Sequence, residues 1–264
     1  MAKTVLITGA FRGIGRAAAH ACAAGGFRVF GTNRSPHADE RGIEMLELDV
    51  RSDDSVGRCI ADVTARAGRI DVLVNNAGIE HVGVAEETTI EDARAVLDTN
   101  FFGVVRMTNA VLPQMRARRC GRIITIGSLA AWVGEPGEAF YAASKGALAR
   151  YTEALRHEVW SLGIHVSLIE PGAFNTNIIP AEPTASGVIG DYDAVRIAAV
   201  RTLRNSLVRG GDPGKLGDLV GRVALERRPR FRYGAGAEAR WLPIVKVLLP
   251  QRLFDYALRR GFGL

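Results

Sequence analysis

Short runs of apolar and β-branched residues, each closed by glycine, asparagine or proline, alternate along most of this chain with longer stretches of helical period. Residues 3–8, 27–32, 43–50, 122–127 and 164–169 carry little polar alternation, as does a run inside 68–78 that ends at Asn75. That is the pattern of strands buried on both faces of a parallel sheet. Between them, alanine-rich residues 16–24 closed by Gly25-Gly26, a segment reaching residue 66 behind an N-cap at Ser52-Asp53-Asp54, and residues 90–118 and 139–162 read as helices. Strand and helix in turn predict an α/β fold, a doubly wound parallel sheet, in a single domain over residues 1–264. The alternation stops near residue 178. Residues 178–217 mix proline, glycine and charge around one predicted helix, 194–208, and an insertion of that kind behind a strand end reads as a substrate lid. Residues 230–264 form a C-terminal extension, with a short strand at 230–233 and two stretches, 241–249 and 252–264, that mix Trp, Leu, Ile, Phe and Tyr with Arg and Lys. It would cap an apolar substrate pocket, pack on a second subunit or rest on a membrane; packing is preferred to membrane contact.

The candidate chemistry gathers at predicted strand ends. Thr8-Gly9-Ala10-Phe11-Arg12-Gly13-Ile14-Gly15 is a glycine turn between a strand and a helix N-terminus. Glycines there let the backbone turn tightly and approach a ligand, while free amides and the positive helix end favour a pyrophosphate. The G-x-x-x-G-x-G spacing shares its mechanism, not its lettering, with the general dinucleotide fingerprint, and a plain strand-to-helix turn is the alternative. The second strand ends at Asn33-Arg34-Ser35, without the carboxylate that accepts a ribose 2′-hydroxyl. Arg34 and Arg12 would instead clamp a 2′-phosphate, which predicts NADP(H) over NAD(H). Asp49 falls near the expected adenine position. Asn75-Asn76-Ala77-Gly78 would tie neighbouring strands and leave bare backbone beside the cofactor ribose. Thr176, behind Pro171-Gly172, offers a hydroxyl near the cofactor's carboxamide, and His81, without ligand partners, is read as incidental.

Tyr141-Ala142-Ala143-Ser144-Lys145 places a phenol and an ammonium one helical turn apart on one face. Two unit charges ~4 Å apart at an effective dielectric of ~20 interact by roughly 4 kcal/mol, about three pK units, which would bring the phenol toward neutral pH as a general acid/base. Ser128, at the end of the run 122–127, would hold a carbonyl oxygen for Tyr141 to protonate. Tyr-x-x-x-Lys alone also occurs by chance on surface helices. Asn100, flanked by Thr99, Phe101 and Phe102, must find hydrogen-bond partners inside an apolar helix, and is expected to bend it around a water or a lysine, with Lys145 the candidate.

At 264 residues, 47% hydrophobic and 23% charged, the composition is that of a soluble globular protein. The three cysteines, Cys22, Cys59 and Cys120, have no paired spacing, so neither a disulfide framework nor a metal site is expected. The chain enters a strand pattern at once, which leaves no cleavable signal, and no apolar run reaches the ~18 residues of a membrane span, so a cytoplasmic location is expected. The net charge of +6 comes mostly from arginines scattered among acids, with a local excess only beyond residue 195. That distribution argues against a nucleic-acid partner and suits a positive crevice for an anionic cofactor.

Thr8-Gly9-x-x-x-Gly13-x-Gly15, Asp49-Val50, Asn75-Asn76-Ala77-Gly78, Asn100, Ser128, Tyr141-x-x-x-Lys145 and Pro171-Gly172 occur together and in this order. On these motifs residues 3–177 closely resemble the short-chain dehydrogenase/reductase family, in its compact single-domain branch. Residues 167–176 and Arg34 look most like the subgroup of 17β-hydroxysteroid and retinol-type dehydrogenases. The resemblance implies a Rossmann fold in which Ser128 orients a carbonyl, Tyr141 gives or takes the proton, Lys145 holds the nicotinamide ribose and lowers the phenol's pKa, and Asn100 holds a water that links Lys145 to solvent. It also implies that Gly9, Phe11, Arg12, Gly13, Ile14, Gly15, Arg34, Asp49, Val50, Asn76, Ala77, Gly78, Pro171, Gly172 and Thr176 line the cofactor, and that the chain forms a homodimer or homotetramer through the helices around 90–118 and 139–162.

The function expected is an NADP(H)-dependent oxidoreductase that interconverts a secondary alcohol and a ketone or aldehyde on a bulky, apolar, steroid-, retinoid- or lipid-like substrate. A non-catalytic NADP(H)-sensing regulator with the same fold and a membrane-associated lipid reductase are the alternatives. The intact Asn100, Ser128, Tyr141 and Lys145 argue against the first of these.

Overall fold

The computed structural model describes residues 2–35, 37–175 and 187–264. Seven strands form one sheet: β1 (Thr4–Ile7), β2 (Arg28–Asn33), β3 (Ile43–Glu47), β4 (Val72–Asn75), β5 (Gly121–Ile126), β6 (Ile164–Pro171) and β7 (Arg232–Ala235). Their order is β3-β2-β1-β4-β5-β6-β7 and every pairing is parallel. The chain winds outward from β1 to β3, then returns and winds the other way from β4 to β7. The direction therefore reverses between β1 and β4, where Val5 pairs Val72, and the strands' carboxyl ends open a crevice at that point.

Helices α1 (Gly13–Ala24), α2 (Asp53–Ala67), α3 (Ile90–Leu97), α4 (Gly103–Arg118), α5 (Ala139–Val159), α6 (Asp193–Val208), α7 (Pro213–Leu225), α8 (Leu242–Leu248) and α9 (Gln251–Phe262) complete the fold. Successive strand residues point to opposite faces, so β1 sends Val5 and Ile7 into one core layer and Leu6 into the other. The first layer takes Ala18, Ala19 and Cys22 of α1 with Leu216, Val220 and Val223 of α7. The second takes Val56 and Val63 of α2, Met107 and Val111 of α4, and Leu155 and Val159 of α5. Ser52 caps α2 as expected, its hydroxyl accepting from the Ser55 amide at 3.2 Å, and Gly68 ends that helix at φ +78°.

The structure departs from the sequence pattern at three places. The predicted helix 90–118 is two helices, α3 and α4, joined by one wider π turn at Asp98–Phe102. The third strand stops at Glu47, although Leu48 and Val50 remain in the core beyond it. Within and beyond the expected lid lies α7, begun by Asp212, whose carboxylate accepts from the Gly214 amide at 2.8 Å, and by Pro213. Residues 178–186 of that lid lie outside the described residues.

Glycine lets α7 lie against α1. A Cβ on Gly217 would stand 2.5 Å from the Ala17 carbonyl carbon and 2.8 Å from its Cβ, and one on Gly221 would stand 3.1 Å from the Ala21 Cβ. Gly217→Ala is therefore expected to lose about 1–3 kcal/mol of stability through overpacking, despite the better helix propensity of alanine. Chemical denaturation measures this, and an unchanged or higher midpoint would contradict the close α1–α7 approach.

Candidate functional site

The loops after β1 and β4 are sewn together at the switch point. The Thr8 hydroxyl accepts from the Asn76 and Ala77 amides, each at 2.9 Å, and the Asn76 side-chain amide donates to the carbonyls of Thr8 at 2.9 Å and Gly9 at 3.1 Å. This fixes the glycine turn. Gly9 and Gly13 take φ +68° and +55°, the left-handed region that favours glycine, and a Cβ on Gly15 would collide with the Gly9 carbonyl and the Asn76 side chain. At the N-terminus of α1, Arg12 is extended and supplies no side-chain cap, so the first amides of the helix point outward without a protein acceptor from that residue. A phosphate-bearing cofactor fits these features: a bare backbone cradle, uncapped amides and the positive helix end.

Around the turn, Phe11 is exposed and stacks on His37 with ring centres 3.8 Å apart, while Ile14 packs on the α1 core layer. Arg12 and Arg34 are both exposed. Asp49 is engaged by Arg51, which donates to its carboxylate at 2.7–3.2 Å. That hydrogen bonding, with a smaller pull from Arg34, holds the Asp49 carboxyl below its ordinary range. The side chain of Val50 is buried in the opposite core layer. Pro171 is buried at the end of β6, and the Gly172 amide donates to Ala235 of β7 at 2.8 Å. Thr176 lies outside the described residues.

Ser128, Tyr141 and Lys145 converge at the carboxyl end of β5. Ser128 follows that strand in extended conformation, and its hydroxyl accepts from the Ala130 amide at 3.1 Å. Tyr141 stands on the first turn of α5 and Lys145 one turn later; the lysine is 7% exposed, and its Nζ donates to the Ile126 carbonyl at 3.2 Å. Nζ lies 5.6 Å from the centre of the Tyr141 ring.

Two expectations need correction. Burial pushes the phenol of Tyr141 up, Glu80 and Glu138 push it the same way, and the neighbouring Ser128 hydroxyl draws it back. Lys145 does not bring it toward neutral pH in this state. Burial lowers the lysine itself to about 8, against an upward pull from Glu80. Asn100 bonds elsewhere than to Lys145. Its Oδ1 accepts from the Ile79 amide at 2.8 Å, and its Nδ2 donates to the Ile79 carbonyl at 2.9 Å and to Ser144 Oγ at 3.1 Å. Ser144 in turn donates to the Tyr141 carbonyl at 2.7 Å. The π turn directs Asn100 at the β4 loop, and the side chain clamps that loop to α5.

Three acids missed by the sequence reading line the same entrance. Glu80 sits next to the clamped Ile79, and Glu135 and Glu138 lie on the loop that leads into α5. The two loops are joined by the Gly83 amide donating to Gly137 at 2.8 Å, and a turn brings the Glu138 amide to Glu135 at 3.1 Å. Burial raises all three carboxyls, and Glu138, with Glu135 and Glu80 adding repulsion, is pushed up to about 8. Lys145 pulls Glu80 partly back, but among the described residues no base does so for Glu135 or Glu138. The signal for Glu135 and Glu138 was the Glu-Pro-Gly-Glu run just ahead of Tyr141, and Glu80 had none beyond its place two residues after Gly78. Over this entrance α6 is held by Arg196, which binds the buried Glu87 with Nε at 3.0 Å, while Glu87 also accepts from the Ile189 amide at 2.8 Å.

Comparison with known proteins places these features in a family. The family model described as short chain dehydrogenase matches residues 3–185. The chain is 37% identical over 266 residues to a 3-ketodihydrosphingosine reductase of Bacteroides thetaiotaomicron, covering 97% of each protein. It is 35% identical over 214 residues to the 3-oxoacyl-(acyl-carrier-protein) reductase of Escherichia coli, covering 78% of this chain and 88% of that one. Among solved structures, a short-chain dehydrogenase from Streptomyces avermitilis superimposes with a TM-score of 0.84 at 34% identity, covering 99% of this chain and 98% of the other.

The raised Glu138 carboxyl makes stability depend on pH with a definite sign. The folded form holds this proton more tightly than the unfolded form, so the contribution is full below about 4.5 and is lost as pH rises toward about 8. Glu138→Gln removes that loss. The melting temperature of the variant is expected to gain on the parent across this window, and a difference that stays constant with pH would show that Glu138 is ionised in the fold.

Proposed function

The chain belongs to the short-chain dehydrogenase family, a family of oxidoreductases, and from that premise we propose that it uses NADP(H) to interconvert a ketone and a secondary alcohol on a long apolar substrate with an amine beside the carbonyl. The observation that carries the reading is the meeting of Ser128, Tyr141 and Lys145 at the end of β5, within the crevice that the glycine turn also borders.

The cofactor side is supported by the uncapped start of α1, the cradle kept open by Gly15, and two exposed arginines, Arg12 and Arg34, with no carboxylate on Asn33-Arg34-Ser35 to compete for a ribose. A bound nicotinamide supplies the hydride in reduction and takes it in oxidation. The rest falls to the chain. Ser128 holds the carbonyl oxygen, and the Tyr141 hydroxyl gives that oxygen a proton as the alcohol forms. A phenol held above its ordinary pKa keeps its proton at neutral pH and can give it to that oxygen. Lys145 steadies the ribose beside it, and the Asn100–Ser144 clamp keeps Tyr141 and the β4 loop in register.

The amine is supported by the acids. Glu80, Glu135 and Glu138 give the entrance a surplus of carboxyls, and a cationic group would relieve their mutual repulsion and draw out the proton on Glu138. The relative from Bacteroides thetaiotaomicron is named for a substrate of this kind, an amino ketone with a long chain.

Three measurements test the reading. Tyr141→Phe is expected to cut kcat by about 10²-fold or more while NADPH binding, followed by fluorescence, survives; substantial residual turnover would remove the phenol from the mechanism. Arg34→Ala is expected to raise the KM for NADPH about tenfold and leave that for NADH unchanged, and an unaltered enzyme that prefers NADH would refute the cofactor assignment. Glu138→Gln is expected to lower kcat/KM for a long-chain amino ketone by about tenfold, with no effect on its N-acetylated form. Equal losses on both would show that the acid does not read the amine.

A further inference from the structure

The C-terminal helices present an apolar stripe to solvent. On Trp241 and α8, Trp241, Ile244, Val247 and Leu248 recur at the spacing of one helical face, and Val247 and Leu248 are 72% and 77% exposed. In α9 the inward face is Phe254 and Phe262, while Leu253 and Tyr256 turn outward beside that stripe. The same segment carries Arg240, Lys246, Arg252, Arg259 and Arg260, against Asp255 as the sole acidic side chain from residue 240 onward. Gln251 donates to Asp255 at 2.6 Å, Lys246 lies over the Phe254 ring at 4.3 Å, and Arg260 donates to the Tyr256 hydroxyl at 3.2 Å. No helix among the described residues is long and apolar enough to cross a membrane.

We infer that this face docks on the surface of an anionic lipid bilayer, with Trp241, Ile244, Val247 and Leu248 entering the headgroup boundary and the arginines of the segment and Lys246 meeting acidic headgroups. Charge decides between occupants. A second copy joined through a twofold axis would bring this basic patch against another copy of itself, whereas an anionic surface complements it. Tryptophan and aliphatic side chains together with bases is the composition of a helix lying in the interface plane. The position is also apt. Asp255, Leu258 and Arg259 of α9 share a surface depression with Glu135, Pro136 and Ala139, immediately ahead of Tyr141, so the helix next in sequence to α8 borders the loop that leads to the site. Docking stands independently of which ketone is reduced.

The test is flotation of the full chain with vesicles of phosphatidylcholine alone and of phosphatidylcholine mixed with phosphatidylserine, with light scattering in the absence of vesicles. Partitioning is expected to be about tenfold stronger on the mixed vesicles and to weaken with salt. The double variant Val247→Glu, Leu248→Glu is expected to lose vesicle binding while it keeps NADPH binding and turnover of a short, water-soluble ketone. No preference for the mixed vesicles would overturn the proposal. A double variant that floats as well as the parent would do the same, and so would one that changes only the mass seen by light scattering, which would assign the face to a second copy.

Discussion

The hydroxyl of Thr8 holds this molecule's working end together. It takes the amides of Asn76 and Ala77 while the Asn76 side chain takes the carbonyls of Thr8 and Gly9, so the loops leaving β1 and β4 cannot move apart. From there the linkage runs through backbone to Ile79, then through Asn100 to Ser144 and the Tyr141 carbonyl. The glycine turn and the helix that carries Tyr141 and Lys145 lie in separate parts of the sequence, yet a short chain of hydrogen bonds sets the position of one against the other. In a partly buried setting such bonds leave few alternatives, because any break strands polar groups.

Much of this was legible in the sequence, and the failures share a cause. Strand interiors such as Val5-Leu6-Ile7 and the glycine turn announce themselves through local pattern, and Ser128, Tyr141 and Lys145 converge as their spacing implied. Asn100 announced a bend, since an amide in an apolar helix needs partners, but its partners come from sequence-distant Ile79 and Ser144 and no local rule names them. The start of α7 was hidden by Gly214 and Gly217, which fall in the irregular stretch 178–217, although Gly217, with Gly221 beyond that stretch, is the means of close approach to α1. Asp212-Pro213 and the apolar spacing of Leu216, Leu219, Val220 and Val223 were the signals to weigh instead. The phenol's pKa was misjudged because pairwise charge was counted and burial was not. The two oppose one another, and burial wins here.

Charge is divided by region across the crevice. The side that would meet phosphates carries Arg12 and Arg34, and the side that would meet the substrate carries Glu80, Glu135 and Glu138. A net charge of +6 conceals that split. An average over the chain says little about a site whose halves carry side chains of opposite sign.

The π turn at Asp98–Phe102 has a bearing on how such a site can arise. A π turn holds one residue more than the α turn it replaces, so removing a single residue there would restore one continuous rod and keep buried Val96 before it in phase with Met107 and Val111 after it. A lone inserted codon is thus enough to swing an asparagine out of the helix wall toward Ile79 and Ser144 while the core on either side stays in phase. The scaffold could gain or lose its clamp in one genetic step without being rebuilt.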